Sequence, residues 1–118
     1  MKPIAVQGCT LTVTPPGDAK ITTPPETDVI IDNKNAYFGT LSITVSNATT
    51  TGADSGTGTG TLSGSSVNTT NHNKKAVLQD DECKIMVTGK QTSYPFSTTS
   101  WTVTVKISVA GQTSTLSD

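Results

Sequence analysis

The chain has 118 residues, which allows one domain with a modest core, and its formal net charge is only −1. Its 8 lysines and 9 acidic residues are scattered and form no basic stripe for phosphates, so nucleic acid is not an expected partner. The first eight residues lack the apolar core of a signal peptide, and no apolar run is long enough to cross a bilayer. We therefore expect a protein that is made in the cytoplasm.

Small β-forming residues dominate the composition. There are 24 Thr and 12 Ser but only five aromatic residues. Thr favours strands because its branched Cβ fits a pleated surface, while Ser, Gly and Asn are typical of the turns between strands. The composition predicts an all-β protein, with residues 1–118 forming a single domain.

The first predicted strands have alternating polarity. Cys9, Leu11 and Val13 alternate with threonines, as in a half-buried strand, and residues 15–18 (Pro-Pro-Gly-Asp) end that strand. An apolar run at residues 29–31 precedes a predicted tight turn over 32–35.

The later strands are longer. One alternation places Leu41, Ile43 and Val45 on one face. The longest alternation predicts one buried face made of Trp101, Val103, Val105, Ile107 and Val109. Residues 47–71 are almost wholly Thr, Ser, Gly and Asn, which fits either a flexible linker or narrow strands. We favour order, with short strands at 59–62 and 66–69.

An internal echo occurs three times along the chain. In each copy a lysine stands two or three residues before an alanine, and apolar residues lie at or soon after that alanine. The copies are Lys2 to Gln7, Asp32 to Gly39, and His72 to Gln79. Their spacing predicts one hairpin-sized unit per copy.

Catalytic motifs are not found. The only histidine, His72, lies in a polar turn with no acidic residue close to it in sequence, and no Gly-x-Ser-x-Gly elbow surrounds any serine. The glycine-rich stretch Gly56 to Gly60 lacks the Gly-Lys-[Ser/Thr] ending of a phosphate-binding loop. We therefore do not expect an enzyme.

The two cysteines leave three interpretations open: buried free thiols, a disulfide, or metal ligands. A zinc site would want four ligands, whereas Cys9, His72 and Cys83 supply three. Both cysteines stand a few residues after an echoed alanine, which suggests pseudo-equivalent positions. We expect no bound cofactor, and zinc is the candidate metal if these three residues meet.

The echo and its surroundings resemble the PAAR-like spike-tip proteins of contractile machines. These machines are type VI secretion systems, extracellular contractile injection systems and tailed-phage baseplates. The resembling stretches are Lys2 to Gln7, Val29 to Ala36, Gly58 to Leu62, Ala76 to Asp81, and Val109 to Thr113. The literal Pro-Ala-Ala-Arg sequence is absent, and position 3 holds the only proline in any copy.

The resemblance implies a short cone of β-hairpins with pseudo-threefold repeats. Such a tip caps a homotrimeric β-helical spike, one tip per trimer, and helps to pierce the target envelope. It would assemble at the end of a contractile particle or phage tail, become extracellular on firing, touch the target membrane only transiently, and in some machines carry an effector. The family often binds zinc near its point, and only Cys9, His72 and Cys83 could serve here.

A second architecture also suits short strands separated by turns. An immunoglobulin-like β-sandwich, acting as an adhesion or phage decoration module, would need a large central cluster of bulky residues. The scarcity of Phe, Leu and Trp favours the cone.

Overall fold

The computed structural model describes residues 2–113 and 115–117. Within these ranges the chain forms twelve strands and no helix, so the all-β prediction is confirmed. The strands are β1 (Lys2–Pro3), β2 (Thr10–Thr14), β3 (Asp18–Ile21), β4 (Ile30–Ile31), β5 (Lys34–Asn35), β6 (Thr40–Thr50), β7 (Ala53–Ser63), β8 (Thr70–Asn71), β9 (Lys74–Lys75), β10 (Glu82–Gln91), β11 (Thr98–Val109) and β12 (Leu116–Ser117). No helix among the described residues is long and apolar enough to cross a membrane.

The six longest strands form one antiparallel sheet, in the order β2-β11-β10-β7-β6-β3. β6–β7 and β10–β11 are hydrogen-bonded hairpins. A short turn joins β2 to β3, which pair with β11 and β6 and not with each other; we call these two strands the first hairpin. The two strands of the first hairpin lie at opposite edges and approach each other, so the sheet is nearly closed. A nearly closed, six-stranded antiparallel sheet is therefore the observed architecture. The immunoglobulin-like alternative is not, because a sandwich needs two packed sheets.

The three hairpins have unequal lengths, and the molecule is elongated. Its principal extents are 51 × 23 × 22 Å. The first hairpin turns at Pro15–Gly17, whereas the second and third continue to turns near Gly52 and at 92–97. The Thr92 N–H donates to the Gly52 carbonyl oxygen at 3.0 Å, which joins the two long hairpins at their far end. We call this narrow end, residues 49–53 and 91–98, the apex.

Alternating apolar residues fill the interior of the nearly closed sheet. The predicted alternation is confirmed for most of its members, all buried: Leu41, Ile43, Val45, Val103, Val105 and Ile107. Trp101 is half-buried and packs against this core. Val109 lies outside it, since the pairing of β11 with β2 shifts between Ile107 and Val109. A shift of one residue turns the following side chain to the opposite face, which leaves Val109 exposed.

The low-complexity stretch is largely ordered and narrow, because its glycines let strands approach closely. A Cβ on Gly58 would lie 2.3 Å from the Met86 carbonyl oxygen, and one on Gly60 would lie 2.6 Å from the Ile85 side chain. The strand predicted at 59–62 is part of β7. The strand predicted at 66–69 was wrong: the chain bends there before β8.

Candidate functional site

The wide end of the molecule is closed by a ring of three chain segments. Each segment precedes one hairpin, and the three cover residues 4–6, 36–38 and 76–78. The Ala5 N–H donates to the Val77 carbonyl at 2.7 Å. The Val77 N–H donates to Tyr37 at 3.1 Å, and the Tyr37 N–H donates back to Ala5 at 3.0 Å. This closed cycle of backbone hydrogen bonds defines a pseudo-threefold axis.

The pseudo-threefold relation extends beyond the cycle. Three antiparallel bridges join the segments pairwise: Ile4 with Leu78, Val6 with Ala36, and Phe38 with Ala76. Three further N–H groups donate at 2.8 Å across the segment boundaries: Gln7 to Asn35, Gly39 to Lys75, and Gln79 to Pro3. The three copies predicted from the echo therefore occupy equivalent places, although the first copy was aligned one residue out of register. Lys2, Lys34 and Lys74 are equivalent, but Ala36 and Ala76 correspond to Ile4 rather than to Ala5.

Side chains pack against both faces of the ring. Ala5, Tyr37 and Val77 point into the interior of the sheet and close its wide end. The alternate ring residues form a second buried cluster on the other face: Ile4, Val6, Ala36, Phe38, Ala76 and Leu78, together with Ile31. Because both faces are packed, the ring is a rigid base for whatever contacts this end of the molecule.

Three short arms surround the second cluster: β4–β5, β8–β9 and β1–β12. In the first two, the turn residues Asp32–Asn33 and His72–Asn73 have positive φ at both positions, as a two-residue type I′ hairpin requires. The third arm pairs Lys2–Pro3 with Leu116–Ser117, which brings the two ends of the described chain together. The arms give this end its outer surface.

One position in each arm carries an outward side chain at a pseudo-equivalent place. Ile30 lies opposite Asn35, and Leu116 lies opposite Pro3. Thr70, opposite Lys75, is the third member. Ile30 is 62% exposed and Leu116 is 43% exposed, so two of the three positions present a large aliphatic side chain to solvent. We call Ile30, Thr70 and Leu116 the arm triad.

The equivalent lysines tie neighbouring copies together. Lys34 Nζ donates to the Gly111 carbonyl at 3.1 Å, and Lys74 Nζ lies 3.3 Å from Glu26 Oε1. Lys2 lies 4.0 Å from Asp80. Each lysine thus reaches a residue belonging to a different copy. The two ion pairs, Lys74–Glu26 and Lys2–Asp80, contribute about 0–1 kcal/mol each.

The structure does not bring the three candidate metal ligands together. Cys9 and Cys83 are half-buried free thiols that pack against the interior of the sheet. His72 lies in the turn of the β8–β9 arm, where its Nε2 is 2.8 Å from Asp28 Oδ2. Across residues 2–113 and 115–117, no group of three or more His, Cys, Asp or Glu side chains could hold a metal ion.

The cysteines are also not pseudo-equivalent. The Cys9 N–H donates to Val6 at 3.0 Å, and the corresponding bond in the third copy runs from Asp81 to Leu78 at 3.1 Å. Asp81, rather than Cys83, is thus the counterpart of Cys9. Burial raises the pKa of the Cys9 thiol, and burial together with Glu82 raises that of Cys83. A raised pKa disfavours the thiolate, which is the form that acts as nucleophile and metal ligand.

Two features of the surface were not singled out in the sequence. The arm triad was missed because it depends on how three distant segments pair, although the apolar run 29–31 contains one of its members. The apex turn carries Tyr94 and Phe96, and the sequence signal was a Tyr-Pro-Phe triplet between two alternating strands. No protein-family model, curated protein or solved structure matches the chain.

Proposed function

We propose that the chain is the tip of a homotrimeric β-helical spike in a contractile injection machine. Candidate machines are type VI secretion systems, extracellular contractile injection systems and tailed-phage baseplates. The observation that carries this proposal is the closed hydrogen-bond cycle of Ala5, Tyr37 and Val77 at the wide end. A single chain matches a threefold partner by repeating similar backbone around one axis, so one tip docks on one trimer.

The docking surface is the arm end of the molecule. Short arms offer strand edges that can continue the sheets of a β-helical spike by β-augmentation. The arm triad supplies apolar contact at pseudo-equivalent positions, with Ile30 and Leu116 as its large members. The low net charge of −1 makes an electrostatic dock a poor fit, so backbone pairing and apolar burial dominate the interface.

The remaining length of the molecule suits a mechanical role. Three hairpins narrow to two over a long axis of 51 Å, and the apex points away from the docking surface. Function then resides in shape and rigidity rather than in turnover. The tip is made in the cytoplasm, assembles on the spike, meets the target envelope first on firing, and accommodates an effector where the machine carries one.

Binding stoichiometry with the purified homotrimeric spike of the same particle tests the proposal. Native mass spectrometry should show one tip per trimer. The complex should survive about 0.5 M salt, where attraction between surface charges is largely screened. Three tips per trimer, or release at moderate salt, would contradict the proposal.

A matched pair of variants locates the docking surface. Ile30→Asp should weaken binding to the spike at least about tenfold, because it places a charge in an apolar contact. Met86→Asp alters an equally exposed apolar residue on the side of the long sheet and should leave binding unchanged. Equal loss of binding in both variants would place the dock elsewhere.

A further inference from the structure

The apex presents two aromatic side chains to solvent. Tyr94 is 88% exposed and Phe96 is 58% exposed. Their ring centroids are 6.4 Å apart with an interplanar angle of 88°, an edge-to-face contact. The other aromatic residues (Tyr37, Phe38 and Trp101) are buried or half-buried, so both exposed aromatic rings of this chain stand at one end of its long axis.

The turn that carries the rings is held by backbone hydrogen bonds. The Phe96 N–H donates to Ser93 at 2.8 Å, and the Gln91 N–H donates to Ser97 at 3.0 Å. A third bond, from Thr92 to Gly52, anchors the turn to the neighbouring hairpin. The turn that carries the two rings is therefore held in place by backbone hydrogen bonds.

The apex carries no charged residue. Residues 49–53 and 91–98 contain only Thr, Ser, Gly, Ala, Gln, Tyr, Pro and Phe. The nearest charges, Asp54 and Lys90, stand opposite each other where the apex begins. An uncharged end escapes the desolvation penalty that a lysine or aspartate would meet on entering a bilayer.

We infer that the apex turn is a lipid contact whose two rings enter the headgroup region of an electrically neutral bilayer. Aromatic rings concentrate at membrane–water interfaces, where an apolar body and a polar tip are both accommodated. The Tyr94 hydroxyl and the neighbouring Thr and Ser hydroxyls remain hydrated among the headgroups. A glycan is the less suitable occupant, because two perpendicular rings form no shared flat platform for a sugar.

This inference deepens the proposed function, on which it rests for the outward direction of the apex, but its test needs no spike. The tryptophan variants Tyr94→Trp and Phe96→Trp are titrated with phosphatidylcholine vesicles. Val67→Trp, an exposed position beside the ring at the opposite end, is the matched control. The emission of Trp101, measured in the unmodified protein, is subtracted.

The apex tryptophans should shift to shorter wavelength as vesicles are added, and lipids brominated near the headgroup should quench them. The control tryptophan should do neither. An unshifted apex tryptophan, or equal shifts at both ends, would overturn the inference.

Vesicle flotation provides the second measurement. The double variant Tyr94→Ser/Phe96→Ser should bind neutral vesicles at least about tenfold more weakly than the unmodified protein, because the apolar area of both rings is lost. Binding should not change between low and about 0.5 M salt, since no charge takes part. A requirement for anionic lipid, or binding to soluble cell-surface polysaccharide in place of vesicles, would contradict it. The double variant should still dock on the spike, which separates failure of this inference from failure of the proposed function.

Discussion

At the ring end all three copies of the chain meet, whereas at the apex only the second and third hairpins remain. The ring end is packed on both faces, and its backbone groups are paired in threefold sets. The apex has no such cluster, and its turn is held by a few local bonds. One end thus has approximate threefold symmetry, whereas the other is narrow, uncharged and without that symmetry.

The two ends should differ most in how strongly an introduced charge destabilises the fold. Val77 is completely buried in the ring, so Val77→Asp places an unpaired carboxylate there and should cost more than about 4 kcal/mol, a large share of the stability of a small domain. We expect no cooperative thermal transition. Tyr94→Asp at the apex should shift the melting temperature by less than about 3 °C. A Val77→Asp variant that melts like the unmodified protein would show that the ring is not a packed base.

The middle of the molecule should tolerate added volume poorly. In Gly58→Ala the new methyl group meets the Met86 carbonyl oxygen, so β7 and β10 must move apart. Urea unfolding should show a loss of about 2–4 kcal/mol. The control, Gly8→Ala, finds open space but has φ +94°, and should lose about 1–2 kcal/mol from backbone strain alone. Equal losses would mean that the two strands are not closely apposed.

The thiols should be protected by the fold and not by a metal. Because burial raises the pKa of Cys9 and Cys83, both should react with an aromatic disulfide reagent at pH 8 at least about tenfold more slowly than after unfolding in urea. Added zinc should leave the rates unchanged. Protection by zinc that disappears in Cys9→Ser would instead reveal a metal site at these residues.

The smallest expected effect is on the pKa of Asp28, which contacts His72 in the β8–β9 arm. Hydrogen bonds from His72, and next from Asn71, lower the pKa of Asp28 below its ordinary 3.8. A depressed carboxyl pKa contributes stability above the unfolded value and loses it as the pH falls through the folded value. NMR titration should therefore place the Asp28 midpoint below 3.8 and show it rising in His72→Ala. An unchanged midpoint in that variant would contradict the contact.

The sequence predicted which residues form strands better than it predicted how those strands and the three copies pair. Alternation identified Leu41 and Val105 as core residues because side-chain direction in a strand is a local property. The β-bulge that exposes Val109 depends on the partner strand, which local alternation does not specify. The echo located the three copies, but its alignment of the first copy is wrong by one residue. Ala5 was matched to the alanines of the other two copies because the residue type is the same, although it is not their structural equivalent. The correct alignment of the three copies follows only from the cycle of backbone hydrogen bonds among Ala5, Tyr37 and Val77.

Electron cryomicroscopy of the chain in complex with a homotrimeric spike tests the proposed function. We expect one copy of the chain on the trimer axis, with Ile30, Thr70 and Leu116 each facing one spike subunit. Tyr94 and Phe96 should stand at the far end, outside the interface. Three copies around the axis, or an apex buried against the spike, would contradict it.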